Sequence, residues 1–148
     1  EKRIILPTGD GMAIGFLQNP SAPLELSIEL HGMLKAHNKD KGEDQLGVRI
    51  GLGSGPVFTV TDMNNVQNVW GPGIILARRV MDAGDDGHIL LAGNLAAELI
   101  ALKDEYRSVI KQVCEVYDIK HGQKITLYSA YSDEFGNPKL PTRVPRVR

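Results

Sequence analysis

Two short apolar runs, residues 4–6 and 12–16, stand either side of Pro7-Thr8-Gly9-Asp10-Gly11. Asp-Gly between such runs predicts a β-hairpin, with Gly11 tolerating positive φ and Asp10 able to bond nearby backbone amides. Residues 18–23, rich in Asn, Pro and Ser, end the second strand. Leu26, Leu30, Met33 and Leu34 then recur at helical spacing, which predicts a helix over 24–37. Residues 38–44 are polar throughout and read as a solvated loop. A short buried strand over 48–52 turns at Gly53-Ser54-Gly55 into a second strand over 56–62, followed by a polar loop over 64–68. Gly71-Pro72 opens a helix that runs to about residue 82, because Pro suits the first helical position.

Residues 83–87 form a turn before an apolar strand over 88–91, and Asn94 is placed to cap a helix over 95–102. Residues 109–119 and 124–131 read as strands joined at His121-Gly122. The three prolines and four cationic residues of 138–148 suit an extended tail or linker, so the folded unit is expected over 1–132 and the tail over 133–148. Hairpins mixed with helical crossovers argue for an α+β fold, a largely antiparallel sheet with helices on its faces.

Composition narrows the partners. The 148 residues suit one domain with a sizeable core, and 42% hydrophobic with 24% charged content is ordinary globular material. A net charge of −1 provides no field to draw in nucleic acid or a membrane surface. The single cysteine, Cys114, excludes an internal disulfide and fits a reducing, cytoplasmic setting. No apolar run reaches the ~18–20 residues of a membrane span, and no signal-peptide pattern is present. A strand already under way at residue 2, with no initiating Met, reads as a fragment.

Most candidate chemistry dissolves on inspection. Gly51-Leu52-Gly53-Ser54-Gly55 resembles a phosphate loop, but strand rather than a helix N-terminus follows it. Asp82, Asp85 and Asp86 lack the closing Glu of a calcium loop and read as a solvated turn. His31 and His37, six apart, do not share a helix face, and no spacing completes a zinc site. Cys114 has no obvious base partner and reads as a small buried residue.

What remains is Thr8-Gly9-Asp10-Gly11 together with the run from Asn68-Val69-Trp70-Gly71 to Ala77-Arg78-Arg79. With Arg49-Ile50-Gly51-Leu52 running into Ser54-Gly55-Pro56-Val57, then His88-Ile89-Leu90-Leu91 and Ile119-Lys120-His121-Gly122, their order resembles the class III adenylate and guanylate cyclase catalytic domain. The resemblance reaches from the hairpin to about Tyr131, and its specificity lies in the order and spacing of motifs that are individually weak.

The resemblance implies a ferredoxin-like domain that works as a head-to-tail homodimer, with sites formed between two copies. It implies attack of a ribose 3′-hydroxyl on the α-phosphorus of a nucleoside triphosphate, aided by two Mg²⁺ or Mn²⁺ ions on two aspartates. Asp10 matches the second metal aspartate. The first belongs to an opening strand, which this chain does not contain, so the site is half present. Arg79 matches the arginine that neutralises the transition-state phosphate, but the family's ribose-orienting Asn falls on Ile75, which cannot hydrogen-bond. At the base-reading positions, the family's Lys falls on Leu6 and its Asp on Asn68. A late phosphate-binding Lys matches Lys120 or Lys124. These departures leave three expectations open: a signalling cyclase that makes cyclic AMP from ATP with weak discrimination among bases, a cyclase for another nucleobase, or a degenerate domain that binds a nucleotide or partner.

Overall fold

The computed structural model describes residues 3–119 and 122–145. Strands β1 (Arg3–Thr8) and β2 (Gly11–Phe16) pair antiparallel with Thr8 opposite Gly11, so Gly9 and Asp10 form the turn. The positive φ falls on Gly9, at +42°, and not on Gly11. A type II′ hairpin needs it at the first central position, and the pairing register puts Gly9 there.

Helix α1 (Ala22–Asn38) starts with Pro23 in its first turn, and Asn19 Oδ1 accepts from the Ser21 amide and hydroxyl just ahead of it. Its buried side is Leu24, Ser27 and His31, whereas Leu30 is 37% and Met33 64% exposed. The helix carries two apolar stripes, and packing selects the one through Leu24 and Ile28. Ser27 is accommodated by donating to the Pro23 carbonyl, and His31 Nδ1 accepts from the Gly136 amide at 3.1 Å. Burial lowers the His31 pKa below the ordinary histidine value, with the backbone of Val48 opposing.

The central sheet has the order β3 (Ile50–Leu52), β6 (Ile89–Ala92), β8 (Lys124–Ala130), β7 (Ile110–Asp118). β3 and β6 are parallel and the other pairs antiparallel. β4 (Phe58–Thr61) and β5 (Gln67–Trp70) form a separate antiparallel ribbon, which makes Asn68 a strand residue where a loop was expected. The reason is the Asp62 carboxylate, which caps the turn between them. The remaining helices are α2 (Pro72–Asp82), α3 (Gly93–Leu102) and α4 (Asp104–Val109). The sequence reading missed α4, a short helix with little periodicity. Asn94 lies inside α3 rather than capping it, and its Nδ2 donates to the Ser54 carbonyl at 2.8 Å.

The pleat divides the core. Ile89 and Leu91 face Leu24, Leu95, Leu99 and Tyr106, while Leu90 and Ala92 face Val80, Ala83 and Leu127. The result is α+β, a ferredoxin-like domain with a mainly antiparallel sheet and helices packed on it.

Residues 133–145 contain no helix or strand, yet they lie on the domain and are not a free linker. Val144 joins the second cluster, and Pro141 is fully buried. The Asp82–Asp86 region, expected to be a solvated turn, holds this segment down. Asp85 accepts from the Thr142 amide at 2.9 Å and its hydroxyl at 2.8 Å. These bonds, the backbone one first, hold the Asp85 carboxyl below the usual range. His88, fully buried, accepts from the Asp85 amide on Nδ1, and its Nε2 meets the Lys139 carbonyl at 2.8 Å. An imidazole satisfied on both nitrogens by backbone is a structural joint.

Candidate active site

Asp10 is exposed at the tip of the β1–β2 hairpin, and Leu6 is half-buried in β1. The hairpin rests against β5: a Cβ added at Gly15 would sit 3.4 Å from Val69 Cγ1. Asn68 precedes Val69 on that strand and is half-buried, and β5 runs directly through Gly71 into α2. One turn apart on α2 stand Ile75, 56% exposed, and Arg79, half-buried. An i, i+4 pair shares a helix face. The chain therefore places Asn68, Ile75 and Arg79 on one continuous strand–helix unit.

The seat of α2 depends on glycine. Along β3, Ile50 and Leu52 turn toward the first core cluster, and position 51 meets the α2 backbone. The Gly51–Gly55 run is thus a packing surface for α2, in agreement with rejecting it as a phosphate loop.

Among the described residues, the side chains of Asp10, Arg79 and Lys124 make no hydrogen bond or ion pair with one another or with any other group. Lys124 is exposed at the start of β8, opposite Asp118. Its neighbours Gln123 and Ile125 line a shallow hollow of about 290 Å³ with Leu76 and Asn94, which brings the β8 start to the first turns of α2. Neither Asp10, Asn68, Arg79 nor Lys124 lines that hollow. A larger one, about 810 Å³, lies between α1 and residues 132–136 and also contains none of them. Lys120 lies outside the described residues.

As a cation site the described residues are incomplete: no group of three or more His, Cys, Asp or Glu side chains converges. Mg²⁺ is commonly held by one or two carboxylates plus substrate phosphates, and Asp10, an exposed carboxylate without a partner, fits one such place. The residue that sequence reasoning missed is Asp62. Its signal was the turn-forming run Asp62-Met63-Asn64-Asn65, since Asp side chains readily bond backbone amides two residues on.

Comparison with known proteins places this fold. The chain has the fold of the adenylate/guanylate cyclase/hydrolase from Silicibacter pomeroyi, with a TM-score of 0.68 at 18% identity over 88% of this chain and 73% of that one. It likewise matches the guanylate cyclase domain of RhGC from Catenaria anguillulae in complex with GTP, at 0.69 and 19%, covering 88% and 72%. A non-canonical dimeric guanylyl cyclase domain of the RhoGC fusion protein from Blastocladiella emersonii gives 0.62 and 19%, covering 86% and 71%. Among curated proteins, no sequence matches this one. The family model of the adenylate and guanylate cyclase catalytic domain matches residues 17–129, a span that holds Asn68, Ile75, Arg79, Lys120 and Lys124 and begins after Asp10. By that match over most of its length, the chain belongs to the adenylate and guanylate cyclase catalytic domain family.

Proposed function

We propose that this chain is the catalytic domain of a nucleotidyl cyclase that converts a nucleoside triphosphate, ATP first, into a 3′,5′-cyclic nucleotide for cytoplasmic signalling. In that reaction the ribose 3′-oxygen bonds to the α-phosphorus, the bond from that phosphorus to the β-phosphate oxygen breaks, and pyrophosphate leaves. The observation that carries the reading is Arg79: a half-buried guanidinium with no partner among the described residues, on the helix that follows Asn68. A positioned, uncommitted cation is what a phosphorus centre gathering negative charge requires. Asn68 reads the base, and Lys120 or Lys124 binds the polyphosphate.

Asp10 supplies one of two carboxylates, and the second comes from outside the described residues. A divalent cation, Mg²⁺ or Mn²⁺, when bound there offsets the charge of the polyphosphate and the attacking oxygen. β3 is an edge strand of its sheet, so its outer ladder is open to a further strand.

The site is completed by a second copy of the chain, head to tail. Phe58 and Trp70, exposed and 5.1 Å apart, form with Val60, Met63 and Val66 an apolar face on the β4–β5 ribbon beside Asn68. Light scattering is expected to show dimer in the intact protein, and monomer alone at high concentration removes this part of the reading.

The whole reading is tested by incubating the intact protein with Mn²⁺ and each of the four ribonucleoside triphosphates, then identifying products by mass spectrometry. Cyclic AMP is expected, with smaller amounts of the other cyclic nucleotides. Ile75, which leaves the ribose without its hydrogen-bond partner, favours a second reading: a domain that binds nucleotide without turnover. The absence of cyclic product from every triphosphate decides for it.

A further inference from the structure

What Asn68 offers a base depends on which way its amide is turned, because one end donates and the other accepts. The turn between β4 and β5 settles that orientation. Asp62 Oδ1 accepts from the Asn64 amide at 2.8 Å and the Val66 amide at 2.9 Å. Oδ2 is left for the Asn68 side chain, whose Nδ2 donates to it at 3.3 Å. The Val66 bond first, opposed by desolvation and then joined by the bonds of Asn64 and Asn68, holds the Asp62 carboxyl below the usual range, so it is ionised at neutral pH. An ionised carboxylate only accepts. The atom of Asn68 facing it must be the amino group, and the carbonyl oxygen is the atom left to a ligand.

We propose that Asp62 is a positioning residue for base recognition, locking the Asn68 amide so that the site presents an acceptor to a Watson–Crick N–H, which each of the four natural bases carries. The proposal rests on Asn68 reading the base. Leu6, at the other base position, adds no polar group, so polar recognition of the base falls on this one amide, in keeping with weak discrimination among the natural bases. Adenine meets the acceptor with its 6-amino group. A purine without that group carries no N–H along the edge and leaves the Asn68 oxygen unpaired.

Asp62→Asn isolates the effect. Its oxygen can still cap the turn, while an amino group replaces Oδ2 and forces the Asn68 amide to turn over. Affinity of the intact protein, with Mn²⁺, is measured for ATP and for purine riboside 5′-triphosphate, which differs only in lacking the 6-amino group. The protein is expected to favour ATP roughly fivefold, the worth of one neutral hydrogen bond. In Asp62→Asn the ratio should fall to parity, with the melting temperature unchanged. A ratio that persists, or an equal loss of affinity for both nucleotides, overturns the proposal and leaves the cyclase reading standing. If the protein binds neither nucleotide, Asn68 does not read a base, and the reading and the proposal fall together. A second measurement needs no nucleotide: the Asn68 side-chain amide signals in NMR should shift as acidification below the ordinary carboxylate range protonates Asp62. They should not do so in Asp62→Asn, and static signals in the unsubstituted protein overturn the lock.

Discussion

Gly51→Ala is expected to destabilise the fold by about 3 kcal/mol, at the upper end of overpacking costs. A Cβ at this position would lie 2.2 Å from the Met81 amide nitrogen and 2.4 Å from the Ala77 carbonyl oxygen. Both are backbone atoms of α2, so no side-chain rotation relieves the contact. The helix must move off β3, opening the contacts of Val80 and Ala83 with Leu90 and Ala92. For a chain of this size that loss lowers the melting temperature by roughly 6–12 °C. Arg79 lies between Ala77 and Met81, so any activity should fall with it. Urea denaturation followed by circular dichroism measures the change. Gly32→Ala is the control: nothing lies within 4 Å of its added Cβ, and a helix-interior Gly→Ala is expected to be neutral or stabilising by up to about 1 kcal/mol. Equal midpoints for the two variants would refute the close approach of β3 and α2.

Asp10→Ala should abolish Mn²⁺- or Mg²⁺-dependent turnover in the intact protein while leaving its stability within about 0.5 kcal/mol. Asp10 is exposed and bonds to nothing among the described residues, so its removal takes away no packing and no hydrogen bond. The hairpin turn depends on Gly9, where the positive φ falls. A large loss of activity with an unaltered melting curve would therefore report the carboxylate's interaction with a ligand. Product formation is followed by chromatography with each triphosphate, at saturating and at limiting metal. Unchanged turnover would remove Asp10 from the site. A loss recovered at high metal concentration would agree with a weakened cation site, since affinity is what one missing carboxylate lowers first.

Several features of this protein were legible from local pattern alone. Glycine and aspartate between two apolar runs specify a hairpin, and Gly71-Pro72 ahead of an apolar repeat specifies the start of α2, because turn and cap chemistry act over a few residues. The order of motifs from the hairpin to about Tyr131 pointed to the family, and within it β5 and α2 are contiguous in the chain and carry Asn68 and Arg79 together.

Tertiary structure decided what distance along the chain conceals. The apolar spacing read from the sequence of α1 runs through Leu26, Leu30, Met33 and Leu34, and only the neighbours of Leu24 and Ile28 select a different face as the buried one. Prolines and cations made 138–148 look like a linker, but Asp85 and His88 reach it from more than fifty residues away and bring Val144 into the core. The glycines from 51 to 55 were rejected as a phosphate loop from the sequence, but only the tertiary structure lays α2 across them. Asn68 looked like part of a loop, because the Asp62 carboxylate that makes it a strand residue acts through a cap rather than through apolar periodicity. Hydrophobic periodicity records which elements form. Which faces meet, and which polar groups hold them, is decided by pairings between segments that no local window contains.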